Sequence, residues 1–279
     1  MNSPHRHART WRVVLFAAVT AAAVAATFAL PRLPQDPAYH AFADRRTFAR
    51  LPNAADVLSN LAFLAVGFLG LRVLRTRRAG FLDARERAPW FVLFAGVILT
   101  AAGSAIYHLA PTSSSLVLDR LPMSVAFMGL FSAMVAERLD VRAGTRFLVP
   151  LLAVGTVSVL WWYATELRGS GDLRPYYLVQ AYTLAAIPLL LVIAPARYTG
   201  SGWLVAGLAL YAFAKLTEAR DGAIFAATRG VVSGHTLKHL LAASAIGAVV
   251  VMLAYRRPRA AERLGGDRPA RARSSGEGR

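Results

Sequence analysis

The chain contains no cysteine. That excludes disulfides, thiolate metal ligands and a cysteine nucleophile, so any metal must be held by histidine and carboxylate. Acidic residues are scarce, 15 Asp+Glu against 32 Lys+Arg, and charged residues make up only 17% of 279 positions, whereas a soluble domain carries about a quarter. No stretch reads as a strand, so no Gly-rich phosphate loop of a nucleotide-binding α/β fold has its structural context.

What is abundant is apolar sequence, 56% of the chain, with a mean hydropathy of +0.44. Charged residues fall in short blocks, and the runs between them are long enough to cross a bilayer. The expected fold class is therefore all-α, a polytopic membrane helix bundle. A net charge of +17 would suit a nucleic-acid binder on charge alone. However, the basic residues lie in loops and tails beside apolar spans, where they set orientation. The bilayer is the expected partner, and nucleic acid is not.

Val13 to Leu30 is an uncharged run of 18 residues behind His5, Arg6, His7, Arg9 and Arg12. It exceeds a signal-peptide core of about 7–15 residues. A retained, signal-anchor-like helix within residues 1–31 is expected over a cleaved peptide, although Ala23 and Ala25 supply small residues near its end. Seven further spans are expected near 54–74, 88–109, 117–136, 147–165, 176–195, 201–217 and 234–255, within a membrane domain covering 32–255. The Arg/Gly/Ser-rich stretch 256–279 is expected to be a disordered basic tail. The basic blocks at 72–87 and 138–146 put those loops and both termini on the cytoplasmic side of a multi-pass plasma-membrane protein.

Ionisable groups inside a membrane are costly and point to function. His5, His7 and His40 lie in the tail and first loop and need no special role. His108 ends a span that runs outward, whereas Asp119, His235 and His239 open spans that run inward. All four fall at one depth, near the extracytoplasmic face. His235 and His239 are spaced i,i+4 and share a helix face, as do Ser104 and His108. Three imidazoles with an open fourth position form a catalytic type of zinc site, at which bound water titrates near pH 7. Asp119 would then accept that water's proton or orient a ligand. By spacing alone, interfacial histidines hydrogen-bonded to their neighbours fit equally well.

Other polar positions have ordinary readings beside functional ones. Lys215, Glu218 and Asp221 form either a head-group site or a solvated helix end with an i,i+3 pair. Trp161, Trp162, Tyr163, Tyr176, Tyr177 and Tyr182 read as an interfacial aromatic belt. Gln180 reads as an interhelical hydrogen-bonding group, and so do Ser59 and Asn60. Gly67 and Gly70 read as close helix packing.

The segments GSAIYH (Gly103–His108), LDRLPM (Leu118–Met123) and SGHTLKH (Ser233–His239), with Ser59-Asn60 upstream, resemble the motifs of the alkaline ceramidases. That family belongs to a superfamily of seven-helix hydrolases that includes the adiponectin receptors. The shared pattern is Ser-x3-His, an Asp eleven residues after that His, and a final His-x3-His, and it covers roughly residues 39–255. The resemblance implies a seven-helix core with one extra N-terminal helix, and zinc on His108, His235 and His239. It also implies hydrolysis of ceramide-like membrane lipids to a sphingoid base and a fatty acid. Asp119 would serve as proton acceptor and donor, and Ser104 would help to stabilise the oxyanion. The segment before the first core helix lacks the acidic calcium site of the eukaryotic enzymes. It offers only Asp44, Asn53 and Asp56, so calcium is not expected. Lys238 stands where those relatives have an aromatic residue, which marks a divergent, bacterial-type member.

Two rivals remain. A lipid-sensing receptor on the same fold would keep the zinc ligands without turnover. A transporter would place its ionisable groups at mid-membrane, often on internal repeats, and neither feature is found here.

Overall fold

The computed structural model describes residues 4–77 and 80–259. It is built of helices α1 (Pro4–Ala29), α2 (Ala54–Ser59), α3 (Leu61–Thr76), α4 (Arg87–Leu109), α5 (Ser113–Arg138), α6 (Val141–Arg146), α7 (Leu148–Glu166), α8 (Arg174–Ile193), α9 (Ser201–Ala219), α10 (Asp221–Ala227) and α11 (Gly234–Tyr255). Only isolated bridges, and no strands, occur among the described residues. Seven of these segments are long and apolar enough to cross a membrane: α1, the α2–α3 unit, α4, α5, α7, α8 and α11. This is a multi-pass membrane protein with an all-α bundle fold.

Of the eight expected spans, the seventh, α9, is not among these segments, because Lys215 and Glu218 sit in its last turns. It nonetheless packs along α11 and completes the core. The expected span at 54–74 is broken at Asn60 into α2 and α3. α5 begins at Ser113, four residues earlier than expected. There the Thr112 side chain accepts a hydrogen bond from Ser115 N while Ser115 Oγ accepts one from Thr112 N, satisfying N–H groups that the helix itself leaves unpaired. The short helices α6 and α10 had no hydropathy signal.

Helices α4 and α5 form the most intimate pair. A Cβ on Gly103 would lie 2.0 Å from the Leu118 carbonyl oxygen, and one on Gly96 would lie 2.7 Å from Ala126 N. Only a residue without a side chain permits this approach, as in other small-residue contacts between membrane helices. It sets Ser104 and Asp119 side by side. Around this pair a core of Trp90, Phe94, Phe131, Met134 and Leu190 is fully or nearly fully buried. α1 lies against α8, with Phe16 buried beside Phe131 and Tyr182.

The two ends of the bundle differ. At the end carrying Arg138 and Arg256, two buried glutamates act as clamps. Glu137 accepts from Trp90 Nε1 at 2.8 Å and pairs with Arg256. Glu86 pairs with Arg197 and accepts from the Tyr198 hydroxyl. Residues 256–259 run beside 197–199, with Thr199 N bonded to Arg257 O and Tyr198 bridged to Pro258. The first residues of the expected tail are thus held by α5 and the α8–α9 loop, and 260–279 lie outside the described residues.

At the opposite end the loop 31–53 folds inward as a cover. Leu33 O accepts from Leu173 N at 2.8 Å, and Phe42 and Asp44 are buried. The aromatic residues at this end only partly form a belt. Trp161 and Tyr177 are exposed, but Trp162 and Tyr176 are buried, and Tyr182 packs on the core.

Candidate metal centre

Every residue singled out for chemistry comes from an element end on the covered side of the bundle. Ser104 and His108 lie on the last turns of α4, Asp119 on the second turn of α5, and His235 and His239 on the first turns of α11. The N-terminus of α11 is fixed by Gly234, whose missing Cβ would sit 2.1 Å from Thr217 O. It is fixed also by Asp221, whose carboxylate accepts from His235 N at 2.8 Å and from Ala43 N at 2.9 Å. Asp221 thereby ties α10, α11 and the first loop together, which is a structural task rather than a head-group one.

The three imidazoles converge. One ring nitrogen from each of His108, His235 and His239 lies within 4.8 Å of the other two, and all three residues are buried. The Nε2 atoms of His108 and His235 are 3.3 Å apart. Behind His239, its Nδ1 lies 2.7 Å from Ser59 Oγ, and Ser59 Oγ donates to the Asp56 carbonyl at 2.9 Å. Because the hydroxyl proton is committed to that carbonyl, Nδ1 must be the donor and the Nε2 lone pair faces the cluster, the pattern by which outer partners orient metal-binding histidines. His235 Nε2, the nitrogen that faces His108, also lies 3.0 Å from Lys238 Nζ, which pairs in turn with Glu218 Oε1 at 3.1 Å, so an ion at the cluster would take that lone pair from the ammonium. His108 Nδ1 is buried without a partner. Three buried imidazoles whose ring nitrogens converge, with no carboxylate among them, could hold a single metal ion.

Asp119 is buried, with the Ser104 side chain beside its carboxyl group. Both line a cavity of about 160 Å³ that also reaches His239. From there it descends between α4, α5, α8, α9 and α11 along an apolar wall including Val97, Leu130, Ile187, Leu204 and Val249. His239 to Val249 is about 15 Å of helix at 1.5 Å per residue. The polar residues thus occupy one end of a long greasy slot.

The first loop closes the cluster. The Phe42 ring lies 4.7 Å from that of His108 and 4.5 Å from that of His235. His40 Nδ1 meets the Tyr107 hydroxyl at 2.9 Å, and burial, followed by the nearby Arg120 charge, lowers its pKa from the ordinary histidine value. Phe42 carried no sequence signal beyond being an aromatic in a polar segment.

The weak cation site considered at Asp44, Asn53 and Asp56 does not assemble. Asp44 is held by Arg46, whose hydrogen bonds keep its carboxyl below the usual range. Asn53 Nδ2 donates to His108 O, and Asp56 accepts from Thr236 Oγ1. Asn60 Nδ2 bonds within its own segment, to Asp56 O at 2.8 Å, rather than across helices. Gln180 Nε2 has no partner, so the expected interhelical bond from that amide is missing. Lys215 and Glu218 form the i,i+3 pair and also line the cavity. No family model matches the chain, and no curated protein matches it.

One consequence concerns the hydroxyl behind His239. Ser59→Ala is expected to weaken metal affinity by about 10–100-fold while leaving the ligands in place, the usual cost of losing such a partner. Competition with a chelator on the purified variant measures it, and an unchanged affinity would show that Ser59 does not orient the ring.

Proposed function

We propose that this protein is an integral membrane, zinc-dependent amide hydrolase. It cleaves N-acyl lipids of ceramide-like build into an amine, such as a sphingoid base, and a fatty acid. The observation that carries the reading is a cluster of three buried imidazoles, one of which, His239, lines the polar end of an apolar slot together with Asp119 and Ser104. His108, His235 and His239 would hold the ion, and all-histidine ligation suits zinc among the available divalent metals. When bound, the metal supplies Lewis acidity toward the amide carbonyl and toward water.

The chain's own residues account for the rest. The apolar wall takes the acyl chain and brings the amide to the polar end, so most binding energy is gained away from the reacting bond. Asp119 takes a proton from the attacking water and returns it to the departing nitrogen. The Ser104 hydroxyl holds Asp119 in the ground state and is placed to donate to the oxygen that gains charge. Phe42 and the first loop keep bulk water from the cluster. Following the positive-inside pattern, the site lies near the extracytoplasmic face of a bacterial plasma membrane.

The test is a lipid screen with the purified, metal-loaded chain, using ceramides of varied acyl length and other N-acyl amides, with release of fatty acid read by mass spectrometry. Turnover that disappears on metal removal and returns with zinc is the expected result. Stoichiometric lipid binding without turnover across the panel would overturn the hydrolase reading in favour of a lipid-sensing role.

A further inference from the structure

Arg120 is the one cavity-lining cation, among the described residues, without a carboxylate partner. Lys215 and Lys238 both pair with Glu218. Arg120, 2% exposed in α5, touches only neutral side chains, and the neighbouring Asp119 carboxylate feels its charge without forming an ion pair with it. Its Nη2 donates to Gln35 Oε1 at 2.7 Å. Its guanidinium carbon lies 4.1 Å from the Trp162 ring centre, 4.7 Å from that of Tyr176 and 5.4 Å from that of Tyr39. Its Nη1 has no acceptor. A second orphan donor, Gln180 Nε2 on α8, belongs to the same cavity wall. Burying a guanidinium with an unused N–H is costly unless something completes it. Aromatic faces offset part of that cost but leave the planar donor fork unmatched, and a carboxylate is the group that matches it.

Building on the hydrolase reading, we propose that Arg120, supported by Gln180, forms a carboxylate subsite, so that, among the N-acyl lipids this site hydrolyses, those with a carboxylate on the amine side, N-acyl amino acids, are preferred. The acyl chain lies in the apolar slot and the amide stands at the Asp119 end. The amino-acid carboxylate completes the Arg120 fork. In the reaction, water adds to the amide carbonyl carbon and the C–N bond breaks. The nitrogen leaves with the proton relayed by Asp119, giving a fatty acid and a free amino acid with no other reactant.

The experiment measures binding to the full chain in detergent, first stripped of metal and then loaded. The probes are N-palmitoylglycine, the neutral N-palmitoylethanolamine, and palmitate. Wild type is expected to bind N-palmitoylglycine about tenfold or more tightly than the ethanolamide, since a charge-assisted pair is worth roughly one such factor or more. Arg120→Met should abolish that preference, and Arg120→Lys should keep only part of it because the planar fork is lost. Equal binding of the anionic and neutral amides by wild type overturns the subsite and needs no variant to fold. Binding of palmitate in preference to N-palmitoylglycine overturns the assignment to substrate. His108→Ala separates the two ideas. It should lose hydrolysis yet keep the anionic preference, whereas a wild type that hydrolyses both amides with equal kcat/KM would leave the hydrolase standing and remove the subsite.

Discussion

Replacing His239 by alanine is expected to bring the metal content of the purified protein from about one ion per chain to near zero, and lipid hydrolysis with it. The ring is buried, its Nδ1 is bonded to Ser59, and its other nitrogen belongs to the three-imidazole cluster. Two imidazoles in the same place make a far weaker site, because closed or nearly closed ligand sets are what give these ions their affinity. The fold should persist. The neighbouring wall of α11 is held by Gly234 against Thr217 and by Asp221, neither of which depends on the ring. Elemental analysis beside a thermal melt measures both quantities. A variant that keeps its metal would remove His239 from the ligand set and, with it, the proposed geometry. Loss of metal with a melt close to wild type would locate the effect in the ligand rather than in the bundle.

How far the sequence revealed this centre can be traced residue by residue. The i,i+4 spacing of His235 and His239 and the alternation of helix direction were enough to bring His108, Asp119 and both α11 histidines to one depth. Depth, however, is not proximity. That α4 lies against α5 closely enough to pair Ser104 with Asp119 depends on Gly103 meeting the Leu118 carbonyl, and a glycine in an apolar run does not say which helix it faces. The first loop offered only Asp44, Asn53 and Asp56 for chemistry in the sequence, yet it supplies Phe42 to the cluster and Gln35 to Arg120. These contacts join residues far apart in the chain, which no local period encodes. Arg120 itself was open to discovery. An arginine inside an expected span, adjacent to Asp119, is the kind of costly charge that asks for a partner, and hydropathy averaged over a window conceals it. Glu86 and Glu137 were hidden differently. Placed at helix ends among arginines, they carry no local mark of burial, and only the packing of α4, α5 and the segment after α11 makes them buried clamps.

The second large effect separates binding from chemistry. Asp119→Asn is expected to leave metal content and lipid binding near wild type while lowering kcat by about 10²–10⁴, the usual contribution of a positioned acid–base group. The amide is nearly the same size, so the close α4–α5 contact around Gly103 is undisturbed, and Ser104 can still hydrogen-bond to its oxygen. What it lacks is basicity. It neither takes a proton from the attacking water nor delivers one to the leaving nitrogen. Because Asp119 is outside the three-imidazole cluster, the ion has no reason to leave. KM should therefore change less than kcat, since the acyl chain and the slot that holds it are unaltered. Steady-state kinetics on a metal-quantified sample decide the matter. If kcat falls only in proportion to metal lost, Asp119 helps to hold the ion rather than to move the proton. If kcat is unchanged in a fully loaded sample, the proton passes through another group. Glu218 is then the next candidate, because it lines the same cavity and reaches the cluster through Lys238.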